Sequence, residues 1–142
     1  MSTHTHKAIV QQFYEALDCG NFEQAKQVVA VNFVAHLPGM PNPLNLDAFI
    51  QFVLMFPSAF PDGKHSFEDI IVAEDKVVTR GTFRGTHQKE LLGIPPTGKQ
   101  IEFSFMYIDR IVDNKIVEHW GQADRLDMMQ QLGVVPPLTT QV

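Results

Sequence analysis

Between Lys115 and Gln131 the chain reads KIVEHWGQADRLDMMQQ, a strand-like run bearing Glu118, His119, Trp120 and Gln122 that passes into a helix-like run across Asp124. A carboxylate at such a junction has two uses. As a cap, Asp is a favoured N-terminal residue of helices, and Asp127 three positions on imitates the acidic member of a capping box. As a base, Asp124 shares two-residue parity with Trp120 and Gln122, so in regular extended geometry the three point into one space. If that space is apolar, burial raises the carboxylate pKa and makes it a proton acceptor near neutral pH. Spacing alone leaves both readings open. His119 has the opposite parity and reads as a surface or interface histidine. His36 falls at a strand end and His87 in a loop, two places that can rim a pocket and donate a hydrogen bond to an enolate or carbonyl oxygen.

Other chemistries fit the residues less well. The segment GIPPTGKQ (93–100) matches most of a phosphate-binding GxxxxGK loop, but Gln100 stands where Ser or Thr is required. Pro95 and Pro96 also remove backbone N–H groups that would cradle phosphate, and a strand follows where that motif needs a helix. The six histidines show no HxxxH or HExxH spacing within the fold, so no metal site is expected. Cys19, the single cysteine, has no obvious base beside it and no partner for an intramolecular disulfide.

The elements that position these residues follow from periodicity. From His6 to Leu17 apolar residues recur at helical spacing, and Cys19-Gly20-Asn21 ends that helix. A short helix over 22–29 precedes a strand from Val31 to Ala35 that reaches His36. The loop from Leu37 to Asn45 holds three prolines and is expected to be irregular. A third helix starts near Leu46 and closes at Pro57 to Gly63. It is apolar around so much of its circumference that it must be buried or line a cavity, which makes Phe52 and Phe56 candidate substrate contacts. Four strands follow, over 65–73, 76–86, 100–112 and 115–123, joined at Glu74-Asp75 and Asp113-Asn114 by turns short enough for antiparallel hairpins. Phe105 alternates with Ile101, Phe103 and Tyr107 on one face of the third of these and is a further candidate contact. Helices first and antiparallel strands after is an α+β pattern, with helices covering one face of a bent sheet. Met106 and Ile108 put apolar side chains on the other face too, which predicts a homodimer or higher homo-oligomer.

With 142 residues the chain is expected to be one domain, 1–142, with 134–142 as an extended tail. A net charge of −5, from 16 acidic and 11 basic side chains with no basic run, argues against nucleic acid. No apolar stretch is long enough to span a bilayer or serve as a signal core, so the sequence predicts a soluble, cytoplasmic protein without membrane partners.

The runs AFPDGKHSFEDIIVAEDKVVTRGTFRGTH, LLGIPPTGK and IDRIVDNKIVEHWGQADRLDMMQQLG resemble the SnoaL-like polyketide cyclases, a branch of the nuclear transport factor 2-like superfamily, over about the last 85 residues. The resemblance implies a cone-shaped α+β barrel, helices packed on a strongly curved antiparallel sheet that encloses a pocket. It also implies intramolecular aldol ring closure of a hydrophobic, polyketide-like carbonyl compound with no metal or organic cofactor. Asp124 then matches the family's acidic general acid/base, Trp120 and Gln122 match pocket-lining positions, and His36, His87 and His119 are polar contacts. Two alternatives use the same cavity: a non-catalytic binder of apolar small molecules, and an epoxide-hydrolase-like enzyme.

Overall fold

The computed structural model describes residues 3–136, so most of the expected tail, from 137 to 142, lies outside the described residues. Helix α1 (Thr3–Asp18) buries Ile9, Val10, Phe13, Tyr14 and Leu17 on one stripe. Gly20, at φ 72°, ends it in the left-handed conformation that glycine takes without strain. Asn21 caps α2 (Phe22–Lys26) by accepting from the Gln24 N–H at 3.1 Å. Strand β1 (Val29–His36) follows, and then a correction: the proline-rich loop is not wholly irregular. Its last two residues form β2 (Leu44–Asn45), which pairs antiparallel with β1. None of the prolines lies in those two positions, so the ladder keeps its N–H donors.

Asn45 caps α3 (Leu46–Val53), and the helical path then resumes as α4 (Met55–Ala59). The path ends at Ala59, inside the segment from Pro57 to Gly63 expected to close it, and Pro57 also splits it, since its ring nitrogen cannot donate to the carbonyl of Val53 and the ring clashes with it. The long strands β3 (Lys64–Ala73), β4 (Lys76–Thr86), β5 (Gln100–Val112) and β6 (Lys115–Ala123) form the antiparallel meander that alternation predicted. Asp113 and Asn114 both take positive φ, as a two-residue hairpin of that hand requires. Helix α5 (Arg125–Gln131) closes the described chain.

The sheet order is β2-β1-β6-β5-β4-β3. The fold is α+β, as expected, but the sheet is mixed: β1 runs parallel to β6, and β2 and β3 are free edges, so it does not close into a barrel. Its inner face, with α1, α3, α4 and α5 against it, buries two apolar clusters. One is built on Phe13, Phe33, Phe49 and Ile116, the other on Phe60, Phe83, Phe105 and Met128. The site lies between them. The outer face carries a cross-strand row of Ile71, Val78, Ile108 and Trp120, continued by His36 on β1. Among the described residues no helix is long and apolar enough to cross a membrane.

Candidate active site

An open-ended cavity of about 100 Å³ lies between the sheet and the helices. Its apolar wall includes Phe49, Phe52, Phe56, Phe83, Phe103 and Met128, while Tyr14, Asp18, His65, Tyr107 and His119 supply polar groups. These polar residues come from α1 and from β3, β5 and β6, so only the folded sheet brings them together.

Asp109 and His119 face each other directly across β5 and β6. Both are buried, at 0% and 2% exposure. The His119 Nδ1 donates to Asp109 Oδ1 at 2.8 Å, and Tyr14 Oη donates to Asp109 Oδ2 at 2.6 Å. Tyr14 Oη also lies 3.2 Å from His119 Nδ1 and can accept from it. A carboxylate that binds Nδ1–H fixes the tautomer whose Nε2 holds the lone pair. Among the described residues Nε2 has no hydrogen-bond partner. It faces Gly121, where a Cβ would come within 2.9 Å of it, so the missing side chain is what leaves the lone pair room. Burial, and secondarily the Asp109 charge, pushes the Tyr14 hydroxyl well above its ordinary pKa and keeps it a donor.

A second carboxylate–histidine pair stands beside the first. Asp18, the last residue of α1, accepts from both the backbone N–H of His65 (2.8 Å) and its Nδ1 (2.6 Å). The His65 Nε2, left with the lone pair, then accepts from the Tyr107 hydroxyl at a long 3.3 Å. Tyr107, raised in pKa chiefly by burial, stacks on Tyr14 at 5.2 Å and lies 5.2 Å from the His119 ring. A hydroxyl held neutral in this way can donate to a developing oxyanion.

The expected site residues divide. Phe52 and Phe56 line the cavity, Gln122 contributes to its rim while standing exposed, and His119 is at its polar end rather than on the surface. Asp124 does not line it. Its exposed carboxylate accepts from the Asp127 N–H at 2.9 Å, so the geometry is that of the helix cap. Trp120 lies on the outer face, stacked on His36 at 5.5 Å, and His36 Nε2 bonds Glu118 at 2.7 Å. Buried His87 ties the 88–99 loop to its base, its Nδ1 accepting from the Thr97 N–H at 3.2 Å. Phe105 sits behind the wall, stacked on Tyr107 at 4.5 Å.

Sequence reasoning missed Tyr14, Asp18, His65 and Asp109, and the cause of the reversed parity is a single bulge. Near the turn Ile111 pairs with Ile116, but beyond it Arg110 pairs with Glu118, leaving one extra residue, Val117, on β6. Ile116 therefore faces inward, and so do His119, Gly121 and Ala123 in place of Glu118, Trp120 and Gln122. The alternation of Ile101, Phe103, Phe105 and Tyr107 did carry a signal, because Asp109 is its next member.

Residues 8–132 match the family model of the SnoaL-like polyketide cyclases. The chain belongs to that family. Among curated SnoaL-like relatives, aklanonic acid methyl ester cyclase DnrD of Streptomyces peucetius is 27% identical over 132 residues, spanning 88% of each chain. Among solved structures, IdmH of Streptomyces antibioticus, a proposed polyketide cyclase, is 33% identical with a TM-score of 0.82, over 91% of this chain and 99% of that one. AclR of Streptomyces galilaeus, a proposed hydroxylase, is 25% identical with a TM-score of 0.88, over 98% of this chain and 91% of that one.

Proposed function

We propose that this SnoaL-like protein is a cofactor-independent acid–base catalyst that closes a ring, or isomerises, a hydrophobic polyketide-like carbonyl compound. The observation that carries the reading is the Nε2 of His119, left open to an apolar cavity while Nδ1 is tied to buried Asp109. In the proposed reaction a C–H bond next to a carbonyl breaks and its proton passes to Nε2. The imidazolium is stabilised by Asp109, and the Tyr107 hydroxyl turns its one proton from the long 3.3 Å contact with His65 Nε2 to the enolate oxygen. The enolate carbon then bonds to a second carbonyl carbon, and the resulting alkoxide takes the proton back from His119. Atoms and charge balance without an external reagent. The neutral phenols and the apolar wall support the reading, because a site poor in water strengthens each of these interactions.

The test is deuterium exchange at the α-carbon of aryl 1,3-diketones in heavy water, followed by NMR, alongside turnover of aklanonic acid methyl ester, the compound in the name of the DnrD relative. His119→Gln should lower the rate by about 10² to 10⁴. Exchange no faster than in buffer, or a His119→Gln variant as fast as the parent, would remove the proposal. The apolar row on the outer face supports a homo-oligomer, which sedimentation tests directly.

A further inference from the structure

Apart from its two carboxylate–histidine pairs, the cavity is lined by one charged residue among the described residues. Arg125 lines the hollow half-buried, its guanidinium carbon 5.0 Å from the centre of the Phe52 ring. The other three arginines are each paired: Arg80 with Asp69 at 2.7 Å, Arg84 with Glu102 at 2.8 Å and Arg110 with Glu118 at 3.3 Å. Among the described residues Arg125 makes no ion pair. Three carboxylates are near it in sequence or share its cavity, and none is paired with it: Asp127, two positions on along the helix, makes no ion pair with it, and the other two are engaged elsewhere. Asp124 is turned to the Asp127 N–H, and Asp18 holds His65.

A guanidinium fixed by an aromatic face presents a planar fork of N–H donors with little further loss of rotamer freedom, and carboxylates match that fork with two parallel bonds. Its location gives the ligand a direction. Arg125 is partly exposed, whereas His119 and Tyr14 are buried, so the cation marks the outer end of the cavity and the acid–base groups the inner end. Between them the wall is phenylalanine and methionine.

We propose that Arg125 anchors a carboxylate of the substrate, which makes the substrate class an aromatic or polycyclic keto acid bound acid end outward. The placement of its carbonyl at His119 rests on the acid–base reading; the carboxylate anchor does not. A methyl ester, such as the compound in DnrD's name, offers a guanidinium no charge, so this chain should favour the free acid over the ester.

The probes are 2-naphthylacetate and its methyl ester, titrated calorimetrically at neutral pH and low salt. The protein should bind the acid about tenfold or more tighter than the ester. Arg125→Met should erase that preference while binding the ester as before, which shows the cavity intact. Arg125→Lys should retain part of it, and Arg84→Met, on the outer face, all of it. Failure of the parent protein to prefer the acid, including failure to bind it, overturns the proposal, and so does a preference that survives Arg125→Met. No proton is transferred to these probes, so the result stands apart from the exchange assay on His119.

Discussion

Substituting Asp124 separates a cap from a base, because the two roles put the loss in different measurements. The structure gives its carboxylate one partner, the Asp127 N–H at 2.9 Å, at an exposed helix start. Alanine there removes a capping bond costing about 1 kcal/mol. A chain of 142 residues unfolds with an entropy of roughly 0.3 kcal/mol per kelvin, so Asp124→Ala should lower Tm by about 3 °C. Asparagine caps as well as aspartate, and Asp124→Asn should leave Tm within about 1 °C. Neither change should move α-proton exchange by more than about twofold, since neither touches His119 or Asp109. Differential scanning calorimetry reads the first quantity and NMR exchange the second. A hundredfold loss of exchange in Asp124→Asn at unchanged Tm would refute the assignment of the base to His119 and restore it to Asp124.

Gly121→Ala would put a methyl 2.9 Å from His119 Nε2 and 3.1 Å from the side chain of Leu37, on an imidazole that Asp109 and Tyr14 hold in place. Exchange should fall about 10²-fold with only a modest change in Tm, and unaltered exchange would show that Nε2 is not the reacting atom. Tyr14→Phe deletes the 2.6 Å bond to a fully buried carboxylate, which should cost about 1.5 to 3 kcal/mol in urea unfolding. The same tyrosine sets an alkaline limit. Its folded pKa is raised above the unfolded value of 10.0, so the unfolded chain loses this proton first. That contribution to stability is complete below about pH 10 and is lost as pH rises towards the folded value, at up to about 1.4 kcal/mol per pH unit. Tyr107 adds to the slope, and Tyr14→Phe should flatten it; an urea midpoint independent of pH over that range would contradict the burial argument.

Much of the fold was legible because alternation and turn chemistry act locally. The bounds of β4, β5 and β6 follow from period-two runs and two-residue turns, and α1 from its apolar stripe. The site was less legible because it depends on non-local facts. The family resemblance pointed to the stretch that holds His119, yet the bulge at Val117 exchanged its two faces, and no single strand announces such an insertion. Asp18 and Tyr14 read in sequence as the end and interior of an amphipathic helix. Their roles arise only where α1 crosses β3, β5 and β6. The parallel partner of β1 was equally hidden, since pairing of strands so far apart leaves no short turn to read.

That parallel pairing governs when the site can come into being. Ala35 sits against His119, and Tyr14 reaches Asp109 and His119 across sequence separations of 95 and 105 residues. At about 5 to 20 residues per second, α1 and β1 wait on the order of 5 to 20 s after their own synthesis for β6 to leave the ribosome. Until then β1 has only the two-residue β2 beside it, and its other edge lacks the strand that pairs with it. The half-made chain thus exposes an apolar edge for seconds, and contacts of this span close slowly even afterwards. Yield of folded protein should therefore depend on chaperone capacity and growth temperature more than the stability of the finished molecule would indicate.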